Sequence, residues 1–561
     1  HMDARSKSYV HGTGMEPLTG LTVGGVLEHT AHHWPEHDAV VVPHQAIRWS
    51  WGDLQREAKT LAAGLLANGL EPGDRIGILA PNVAEWVAVQ FGTACAGLIL
   101  VNINPAYRAA ELEYALKKTG CRALITVPGF KTSDYLGMLG RIAPELKIAK
   151  PGKLAAARLP ELTLVVTLGN ETYSGCMRYA DVQAAADAGS LGRVDGIAAS
   201  LDSDDPINIQ FTSGTTGSPK AATLTHHNIV NNAALSAGIL KFTENDRLCI
   251  PVPMYHCFGM VLGVLLCATR GAAIVFPSAG FDAAAVLDAV EAECCTALHG
   301  VPTMFFAELD ELDSARRDLT SLRTGIMAGA PCPVELMHRV MEDMHLKEMT
   351  IGYGMTETGP LSTQTSIDDP LELRVTTVGQ AMPHTEIKIV DEEGHVVPRG
   401  ESGELCTRGY CVMRGYWDDP ERTAEEIDAA GWIKTGDLAE MDEAGYIAIV
   451  GRLKDMIIRG GENIYPREIE EFLYTNPKID EVEVFGVPDK RYGEEVAAWI
   501  RLHEGETATI EEIRDYCKGE LAHFKIPRYV KFVEEFPMTV TGKVQKFLMR
   551  EAMAEELKLA G

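Results

Sequence analysis

Short apolar runs and longer helical patterns alternate along most of the chain, which predicts parallel sheets covered by helices. Continuous apolar stretches predict buried strands at residues 75–79, 123–127, 162–168 and 272–276. Helical spacing predicts helices at residues 82–89, directly after Pro81, and at residues 281–292. We therefore expect an α/β fold in this part of the chain.

The pattern changes after about residue 380. Residues 386–390, 404–408 and 446–450 look like half-exposed strands, and residues 391–394 look like a turn, so we expect a small antiparallel β unit. A βαβ-like set of elements follows, with a helix at residues 466–474, a strand at 482–487 and a helix at 510–521. A turn signal and a charge cluster between the two sets predict a domain boundary at residues 452–454.

Length and charge narrow the picture further. The chain has 561 residues, which at roughly 100–200 residues per domain suggests three or four domains. Its 79 acidic residues outnumber the 51 lysines and arginines, and the formal net charge is −28. This balance argues against nucleic acid or an anionic membrane as the main partner. A polyanionic ligand would need cations placed locally at its site.

The distribution of apolar residues and cysteines predicts a reduced cytoplasmic protein. No apolar run reaches the 18 or so residues that a membrane helix needs, and the best candidate, residues 260–269, stops at Arg270. The amino terminus has no apolar run of the signal-peptide type, and His1-Met2 resembles a cloning scar. The twelve cysteines include no CxxC pair, and adjacent Cys294 and Cys295 are most simply core residues.

A loop rich in glycine and hydroxyl side chains follows the apolar run at residues 207–211. Its sequence is Thr212-Ser213-Gly214-Thr215-Thr216-Gly217-Ser218-Pro219-Lys220. The glycines let backbone N–H groups approach an anion, and Lys220 adds a positive charge that suits a phosphate. Gly217 is followed by Ser-Pro-Lys, so the loop is not a P-loop. By composition alone, a flexible linker remains an open interpretation.

Further glycine-bearing segments carry reactive side chains. Tyr353 could stack on a base and Glu357 could hold Mg²⁺ in the segment Gly352-Tyr353-Gly354-Met355-Thr356-Glu357. Asp437 is the last residue of the segment 432–437, and its carboxylate could accept hydrogen bonds from ribose hydroxyls. Basic residues and glycines cluster at residues 451–466, and Lys543 directly follows Gly542. Each of these segments, taken alone, is more typical of an ordinary turn or a solvated loop than of a site.

Other kinds of site find little support in the sequence. His29 and His33 have i,i+4 spacing, but no acidic partner has the spacing of a zincin site, so a metal cluster is disfavoured. His226 and His227 are expected to begin a helix. We find no GxSxG elbow and no Ser-His-Asp arrangement.

Taken in order and spacing, these segments resemble the adenylate-forming superfamily, which includes acyl-CoA synthetases, firefly luciferases and peptide-synthetase adenylation domains. The resemblance runs from about Trp51 to Lys546. Two segments look most like the medium-chain acyl-CoA synthetases, namely Asn102-Ile-Asn-Pro105-Ala-Tyr-Arg108 and Pro253-Met-Tyr-His256-Cys.

The resemblance implies a mixed α/β architecture. After a tail at residues 1–15, a large amino-terminal AMP-binding domain of helix-covered sheets plus the small β unit would cover residues 16–451. A hinge at residues 452–454, with Lys454 at its pivot, would lead to a small mobile α+β domain at residues 455–561.

The resemblance also implies a two-step reaction that uses ATP, Mg²⁺ and CoA. A carboxylate would attack the α-phosphate of ATP, and the CoA thiol would then displace AMP from the acyl-adenylate. The implied ATP and AMP contacts are Thr212, Ser213, Gly214, Thr215, Thr216, Gly217, Lys220, Gly329, Ala330, Pro331, Tyr353, Gly354, Thr356, Asp437 and Arg452. The implied catalytic residues are Lys543, which would bridge the carboxylate and the α-phosphate, together with His256, Thr356 and the magnesium ligand Glu357.

The same resemblance gives expectations for the other two substrates. Gly460 and Gly461 would line the tunnel for the CoA arm in the second step. The acyl pocket would be lined by Phe258, Met260, Val301, Met327 and Ala328. Met260 stands where some long-chain relatives carry a Trp gate, which favours a medium-chain acid.

Several alternatives remain to be tested. A peptide-synthetase module would need an acidic residue near His256, and none is present there. A non-catalytic nucleotide-binding protein would be expected to lack Lys543 or Glu357. A luciferase-like oxygenase, an acyl-AMP ligase that loads a carrier protein and an aryl- or branched-acid CoA ligase stay open. The expected partners are a small carboxylic acid, ATP and CoA, with no nucleic acid, and a homodimer is compatible with the sequence.

Overall fold

Helix-covered sheets form the part of the chain before residue 380, as the alternating pattern predicted. The structure is a computed structural model that describes residues 6–212, 218–538 and 543–558. The first sheet has eight strands, and the neighbouring pairs from Met177–Arg178 through Pro206–Thr212 are parallel. Its strands in spatial order are Met177–Arg178, Leu164–Thr167, Ala123–Thr126, Arg75–Leu79, Ile99–Asn102, Pro206–Thr212, Lys220–Thr225 and Gly415–Tyr416.

The second sheet has nine strands and a parallel centre. Its strands in spatial order are Gln380–Ala381, Leu361–Gln364, Glu348–Gly354, Thr324–Met327, Ala297–Leu298, Arg247–Cys249, Ala273–Val275, Asp38–Val42 and Ile47–Ser50. The helices of this part of the chain are Val23–His33, Trp51–Ala67, Ala84–Cys95, Ala109–Thr119, Tyr135–Ile142, Tyr179–Ala184, Ala188–Ser200, His226–Ile239, Cys257–Gly259, Met260–Leu265, Leu266–Arg270, Ala283–Glu293, Pro302–Ser314, Val334–Asp343 and Leu371–Thr376.

Three hydrophobic cores cover the faces of the two sheets. Each sheet contributes to two of them, because successive strand residues point to opposite faces of a sheet. In the first sheet Ile125 belongs to the first core and Leu124 to the second. In the second sheet Ile326 belongs to the first core and Met327 to the third. The first core therefore lies between the two sheets, and the second and third cores cover their outer faces.

The small antiparallel β unit forms a third sheet of five strands. Their spatial order is Tyr9–His11, Thr385–Val390, Gly403–Gly409, Ile433–Met441 and Ile447–Arg452, and helix Pro420–Glu426 lies between the third and fourth of them in sequence. Residues 1–15 were expected to form a tail, but Tyr9–His11 is a strand of this sheet. Tyr9 pairs with Lys388 and Val10 with Ile387. The amino-terminal segment is thus part of this sheet.

The carboxyl-terminal part contains a hairpin and a three-stranded sheet. The hairpin joins Ile457–Arg459 to Glu462–Ile464, and the sheet consists of Ile479–Asp489, Gly493–Leu502 and Tyr529–Phe532. Helices Pro466–Leu473, Ile510–Cys517 and Lys546–Glu556 accompany them. The first two strands form an antiparallel pair, and the last two form a parallel pair with a crossover helix.

Most predicted elements are present, with shifted ends. The helix expected at residues 82–89 spans Ala84–Cys95, since the apolar pattern continues through buried residues up to Gly97. The helix expected at residues 510–521 ends at Cys517, because Lys518 is extended and Gly519 has a φ of 82°. His226 begins the helix His226–Ile239, as predicted, with Thr225 as its cap. No helix within the described ranges is long and apolar enough to cross a membrane.

Candidate active site

The candidate site lies where parallel strands of the first two sheets end. Ligands of open α/β sheets bind at the carboxyl ends of the strands, where loops of neighbouring strands converge. Strand Pro206–Thr212 leads into the predicted phosphate loop, and Thr212 pairs with Lys220 across that loop. Ser213, Gly214, Thr215, Thr216 and Gly217 lie outside the described residues, so their predicted phosphate contacts stay predictions.

Glu357 stands at the centre of the site on the single helical turn Thr356–Thr358. Its side chain is buried, and its Oε2 accepts a 2.9 Å hydrogen bond from the Tyr416 hydroxyl. Lys220 Nζ lies over the Tyr416 ring, 4.9 Å from its centroid. The phosphate-loop lysine and the predicted magnesium ligand therefore share Tyr416 as a neighbour. Thr356 is half-buried beside Glu357.

A second group of residues joins the second sheet to the third. The Tyr353 hydroxyl donates a 2.5 Å hydrogen bond to Asp437 Oδ2, and Arg452 Nε lies 3.7 Å from Asp437 Oδ1. Asp437 and Arg452 are also direct partners in adjacent strands. Burial and the neighbouring Asp437 carboxylate raise the pKa of Tyr353, so its hydroxyl stays a donor. The structure thus brings three predicted nucleotide contacts together.

Lys543 reaches this site from the carboxyl-terminal part of the chain. It lies on the accessible surface, yet protein surrounds its ammonium closely enough that burial lowers its pKa. The positive charge of Arg452 lowers the pKa of Lys543 further, whereas Glu357 and Asp437 raise it. The electrostatic field of Lys543 in turn reaches His256, whose pKa falls to about 4 through burial and this neighbouring charge. His256 is therefore neutral at pH 7.

The predicted adenine segment follows strand Thr324–Met327. Gly329 has a φ of 93°, in the left-handed region that favours glycine, while Ala330 and Pro331 are exposed. Gly354 ends strand Glu348–Gly354, where a Cβ atom would stand only 1.7 Å from the Pro360 carbonyl oxygen. Only glycine fits at that position.

The five predicted acyl-pocket residues do not all lie together. Met260 belongs to the first core, and Phe258 and Ala328 pack against that core. Val301 lies beside the adenine segment, because a Cβ at Gly329 would stand 3.3 Å from its Cγ1. Met327, by contrast, packs in the third core on the other face of the second sheet. Strand alternation places its side chain away from Phe258 and Met260, which corrects the expectation that it lines the same pocket.

Met260 is also more deeply embedded than a pocket lining requires. It is 1% exposed, and its Sδ accepts a hydrogen bond from Asn102 Nδ2 at 3.0 Å. The same Asn102 nitrogen donates to the Tyr255 carbonyl at 2.9 Å. The two segments that carried the medium-chain resemblance therefore contact each other. Met260 begins a π-helical stretch, Met260–Leu265, a departure from α-geometry that is frequent at functional sites.

The predicted hinge residue Lys454 follows the site residue Arg452 by two positions. The glycines of the predicted CoA tunnel lie further along the chain, in the carboxyl-terminal part. Lys454 sits on the turn Leu453–Asp455, where burial and the charges of Arg452 and Lys543 lower its pKa. Gly460 and Gly461 form the turn of the hairpin Ile457–Arg459/Glu462–Ile464, with φ values of 56° and 84°. The Gly460 N–H donates to the Tyr492 carbonyl within the same carboxyl-terminal part.

Tyr416 is the site residue that sequence reasoning missed. It lies 59 positions from Glu357, on an edge strand of the first sheet. The backbone is unusual on both sides of Tyr416, since Gly415 has a φ of 150° and Asp418 a φ of 49°, but only the glycine could have been noticed in the sequence. Among the described residues, the one group with ligand atoms close enough for a metal ion is Asp391, Glu393 and His395, and all three are exposed.

Comparison with known proteins gives a consistent result. Residues 27–417 match the AMP-binding enzyme family, and residues 468–543 match the AMP-binding enzyme C-terminal domain. YngI of Bacillus subtilis, which carries an acyl-CoA synthetase name, is 49% identical over 97% of this chain and 100% of its own length. The mitochondrial medium-chain acyl-CoA ligase ACSF2 of Danio rerio is 48% identical over 98% of this chain and 91% of its own length.

A solved structure shows the same fold. The anthranilate CoA ligase AuaEII in complex with anthranoyl-AMP superposes with a TM-score of 0.85 at 28% identity, covering 97% of this chain and 99% of that chain. The family matches and the full-length similarity to the two relatives agree with this superposition. The chain therefore belongs to the adenylate-forming family of AMP-binding enzymes, among the acyl-CoA synthetases.

Proposed function

We propose that this enzyme converts a medium-chain carboxylic acid, ATP and CoA into acyl-CoA, AMP and pyrophosphate. The observation that carries the proposal is that Lys543 lies within electrostatic range of Glu357, Asp437 and Arg452, the last two of which lie 3.7 Å apart. A carboxylate carries a poor leaving group, whereas AMP leaves readily, so activation by adenylation makes thioester formation feasible.

In the first step, a carboxylate oxygen of the acid attacks the α-phosphorus of ATP, and the bond to pyrophosphate breaks. Negative charge builds up on the phosphoryl oxygens in the transition state, where a preorganised cation is most effective. Lys543 supplies that cation between the carboxylate and the α-phosphate. Lys220 and Thr212 frame the loop that would hold the other phosphates.

Glu357 fits the role of a magnesium ligand. Mg²⁺ in nucleotide sites is bound by one or two carboxylates together with phosphate oxygens. Glu357 offers one buried carboxylate, which the Tyr416 hydroxyl orients, and Lys220 lies over the ring of the same tyrosine. A bound ion would neutralise part of the phosphate charge. Such neutralisation is needed here, because the protein carries a net charge of −28, which repels the phosphates of ATP.

The nucleoside would be held by the group that joins the second and third sheets. Asp437 suits the ribose hydroxyls, since Tyr353 and Arg452 already orient its carboxylate. Arg452 provides a second ribose contact, and Tyr353 with residues 329–331 forms the adenine side. Gly354 keeps the backbone close to the Pro360 carbonyl, which leaves the strand end free of a side chain there.

In the second step, the CoA thiol attacks the acyl carbon and AMP leaves. We propose that the carboxyl-terminal part turns about Lys454, so that Lys543 leaves and the hairpin turn Gly460-Gly461 enters. A Cβ atom at Gly461 would meet no other atom within 4 Å in the present arrangement, and both glycines of the turn are exposed. Its lack of side chains suits a narrow thiol arm.

The acid is proposed to be an apolar chain of medium length, roughly four to ten carbons, because each buried CH₂ contributes about 0.8 kcal/mol until the pocket is full. Phe258 and Ala328 offer apolar surface, and neutral His256 provides no charge for an amine or a second carboxylate. Met260, which is fixed by a hydrogen bond from Asn102, would limit the depth of the acyl pocket. The name of the Danio rerio relative points to the same class of acid.

The test is AMP release with CoA across straight-chain acids of roughly two to sixteen carbons, with branched and aryl acids alongside. We expect kcat/KM to rise several-fold per carbon and to peak at medium length. A peak at an aryl acid would favour an aryl-CoA ligase. Pyrophosphate exchange without CoA-dependent AMP release would favour an acyl-AMP ligase that loads a carrier protein. The cytoplasmic location and the homodimer stay predictions of the sequence.

A further inference from the structure

Lys546 is a buried cation in the carboxyl-terminal part, three residues after Lys543. Its side chain is 17% exposed, and its Nζ lies 2.9 Å from Glu470 Oε2 and 3.8 Å from Glu483 Oε2. Both carboxylates are similarly buried, at 15% and 17% exposure. Burial and the nearby Glu470 raise the pKa of Glu483, so the ion pair that matters at neutral pH is Lys546 with Glu470.

The position of Lys546 is unfavourable for the helix it begins. Lys546 is the first residue of helix Lys546–Glu556, where the partial positive charge of the helix dipole repels a cation. Burying an ammonium group adds a desolvation cost that only good partners offset. A lysine at this place therefore calls for an explanation beyond the stability of its own helix.

The contacts of Lys546 join three elements at one point. Glu470 lies on helix Pro466–Leu473, and its Oε2 also accepts a 2.9 Å hydrogen bond from the Val484 N–H. Val484 belongs to strand Ile479–Asp489. The start of helix Lys546–Glu556 is thereby fixed against both a helix and a strand of the carboxyl-terminal part.

A short and well-bonded segment connects this point to Lys543. Val544 pairs with Met538, and the Gln545 N–H donates a 2.8 Å hydrogen bond to the Pro537 carbonyl. Lys543 directly precedes this pairing, and Lys546 directly follows it. A shift at Lys546 would therefore be passed along three residues to the Lys543 backbone.

The helix itself has other anchors. Met549 and Met553 are buried in a core with Phe485 and Trp499. Arg550 forms an ion pair with Glu494 at 2.6 Å. Loss of Lys546 alone would leave these contacts in place, so the helix should stay docked while its first turn loses its fixed position.

We infer that Lys546, held by Glu470 and Glu483, is a positioning residue that sets the place of Lys543 for the adenylation step. The inference rests on the proposed function, because it assumes that Lys543 acts in the first step and leaves the site in the second. Lys546 itself touches no substrate in this assignment.

The test compares the two half-reactions of Lys546→Met. Pyrophosphate exchange reports the first step, and acyl-CoA formation from supplied acyl-adenylate reports the second. A displacement of about 1 Å at a catalytic group can cost about 10²-fold in rate, so we expect a loss of this order in kcat for exchange. The KM for ATP should stay unchanged, and the second step should stay within about twofold, since neither depends on Lys543 placement.

Two further variants make the test specific. Lys531→Met removes a surface ion pair with Glu556 at the far end of the same helix and should leave both steps unchanged. Glu470→Gln keeps an acceptor for the Val484 N–H but removes the charge beside Lys546, so it should lower exchange selectively. Combined with Lys546→Met, it should add little further loss, because both changes break one interaction.

Equal losses in both half-reactions of Lys546→Met would overturn the inference, because they would mean a general structural role. Unchanged exchange would overturn it as well. Additive losses in the double variant would show that Lys546 and Glu470 act independently, which also contradicts it. Failure of the proposed function looks different, since the unsubstituted enzyme itself would then show no acid-dependent exchange.

Discussion

The structure brings Lys543 of the carboxyl-terminal part within electrostatic range of Glu357, the predicted magnesium ligand, and of Asp437, the predicted ribose contact. We expect Lys543→Ala to lose about 3–4 kcal/mol of transition-state stabilisation, or roughly 10²–10³ in the rate of adenylation. Thioester formation from supplied acyl-adenylate should be largely spared. Comparison of the two half-reactions checks this, with Lys531→Ala as a control on a surface lysine. Equal loss in both would show that Lys543 has no step-specific role.

The lowered pKa of Lys543 gives a prediction for the pH profile. Lys543 acts as a cation, so activity is lost as pH rises through its pKa, which lies below the ordinary 10.5. Arg452→Gln removes a neighbouring positive charge and should raise that pKa. The alkaline limb of kcat/KM for adenylation should then move to higher pH, whatever happens to the maximal rate. A limb that stays in place, or moves to lower pH, would contradict the assigned electrostatic coupling.

Single residues also show where sequence reasoning ends. Local context left the roles of Glu357 and Asp437 open, the family resemblance assigned them, and the structure brings both residues into the candidate site. The contact between Glu357 and Tyr416 could not be predicted, because it depends on the order of strands in the first sheet. Met327 was assigned to the acyl pocket, but its side chain packs in the third core, on the opposite face of the sheet. Adjacent residues of a strand face opposite sides, so an alignment error of one position assigns a side chain to the wrong side of the sheet.

At the scale of elements, the hairpin Ile457–Arg459/Glu462–Ile464 connects backbone geometry to the second step. Gly461 and Gly394 have nearly equal φ values, 84° and 86°, and a Cβ at either position meets nothing within 4 Å. Gly461→Leu and Gly394→Leu should therefore cost similar stability, about 1–2 kcal/mol each from left-handed strain.

Only the change at the hairpin should affect the reaction with CoA. We expect Gly461→Leu to keep pyrophosphate exchange and to lower CoA-dependent turnover, whereas Gly394→Leu should keep both. Thermal unfolding measures the matched strain, and the two assays measure the steps. If both variants retain full turnover, the proposed tunnel role of this turn is wrong. Gly460 is less suitable, because a Cβ there would stand 3.3 Å from the Tyr492 ring.

Buried strands could be predicted from the sequence more readily than strands with a weak apolar pattern. Strands in the parallel centre of the first sheet, such as Arg75–Leu79, are continuous apolar runs and were predicted well. Strand Gly493–Leu502 was missed, because it begins with a glycine and two glutamates and contains two alanines, all of which have low strand propensity. The strand Tyr9–His11 was missed because three residues carry too little pattern, and only pairing with Thr385–Val390 stabilises it.

At the scale of the whole molecule, the hydrophobic cores divide at the proposed hinge. Every hydrophobic core cluster of the described residues lies entirely before residue 450 or entirely after residue 456. The amino-terminal part thus has its own cores and should fold without the carboxyl-terminal part.

Truncation after Lys454 tests this division. We expect residues 1–454 to unfold cooperatively on heating and to lose adenylation to at least the extent of Lys543→Ala. Circular dichroism and calorimetry follow the unfolding, and pyrophosphate exchange follows the activity. A truncated protein without a cooperative transition would place the boundary elsewhere. Retained exchange would mean that no residue after the hinge is needed for the first step.

The pairing of Tyr9–His11 with Thr385–Val390 has a consequence for self-association. This short strand covers one edge of the third sheet and is held by the Tyr9 hydroxyl on Glu386 and by the Ser8 hydroxyl on the Pro398 carbonyl. Without it, Thr385–Val390 would present unpaired N–H and C=O groups to other molecules, as edge strands in aggregating proteins do. Removal of residues 1–12 should therefore leave the active-site residues intact but promote concentration-dependent oligomers, which light scattering would detect. We therefore expect residues 8–11 to contribute to the solubility of the folded chain.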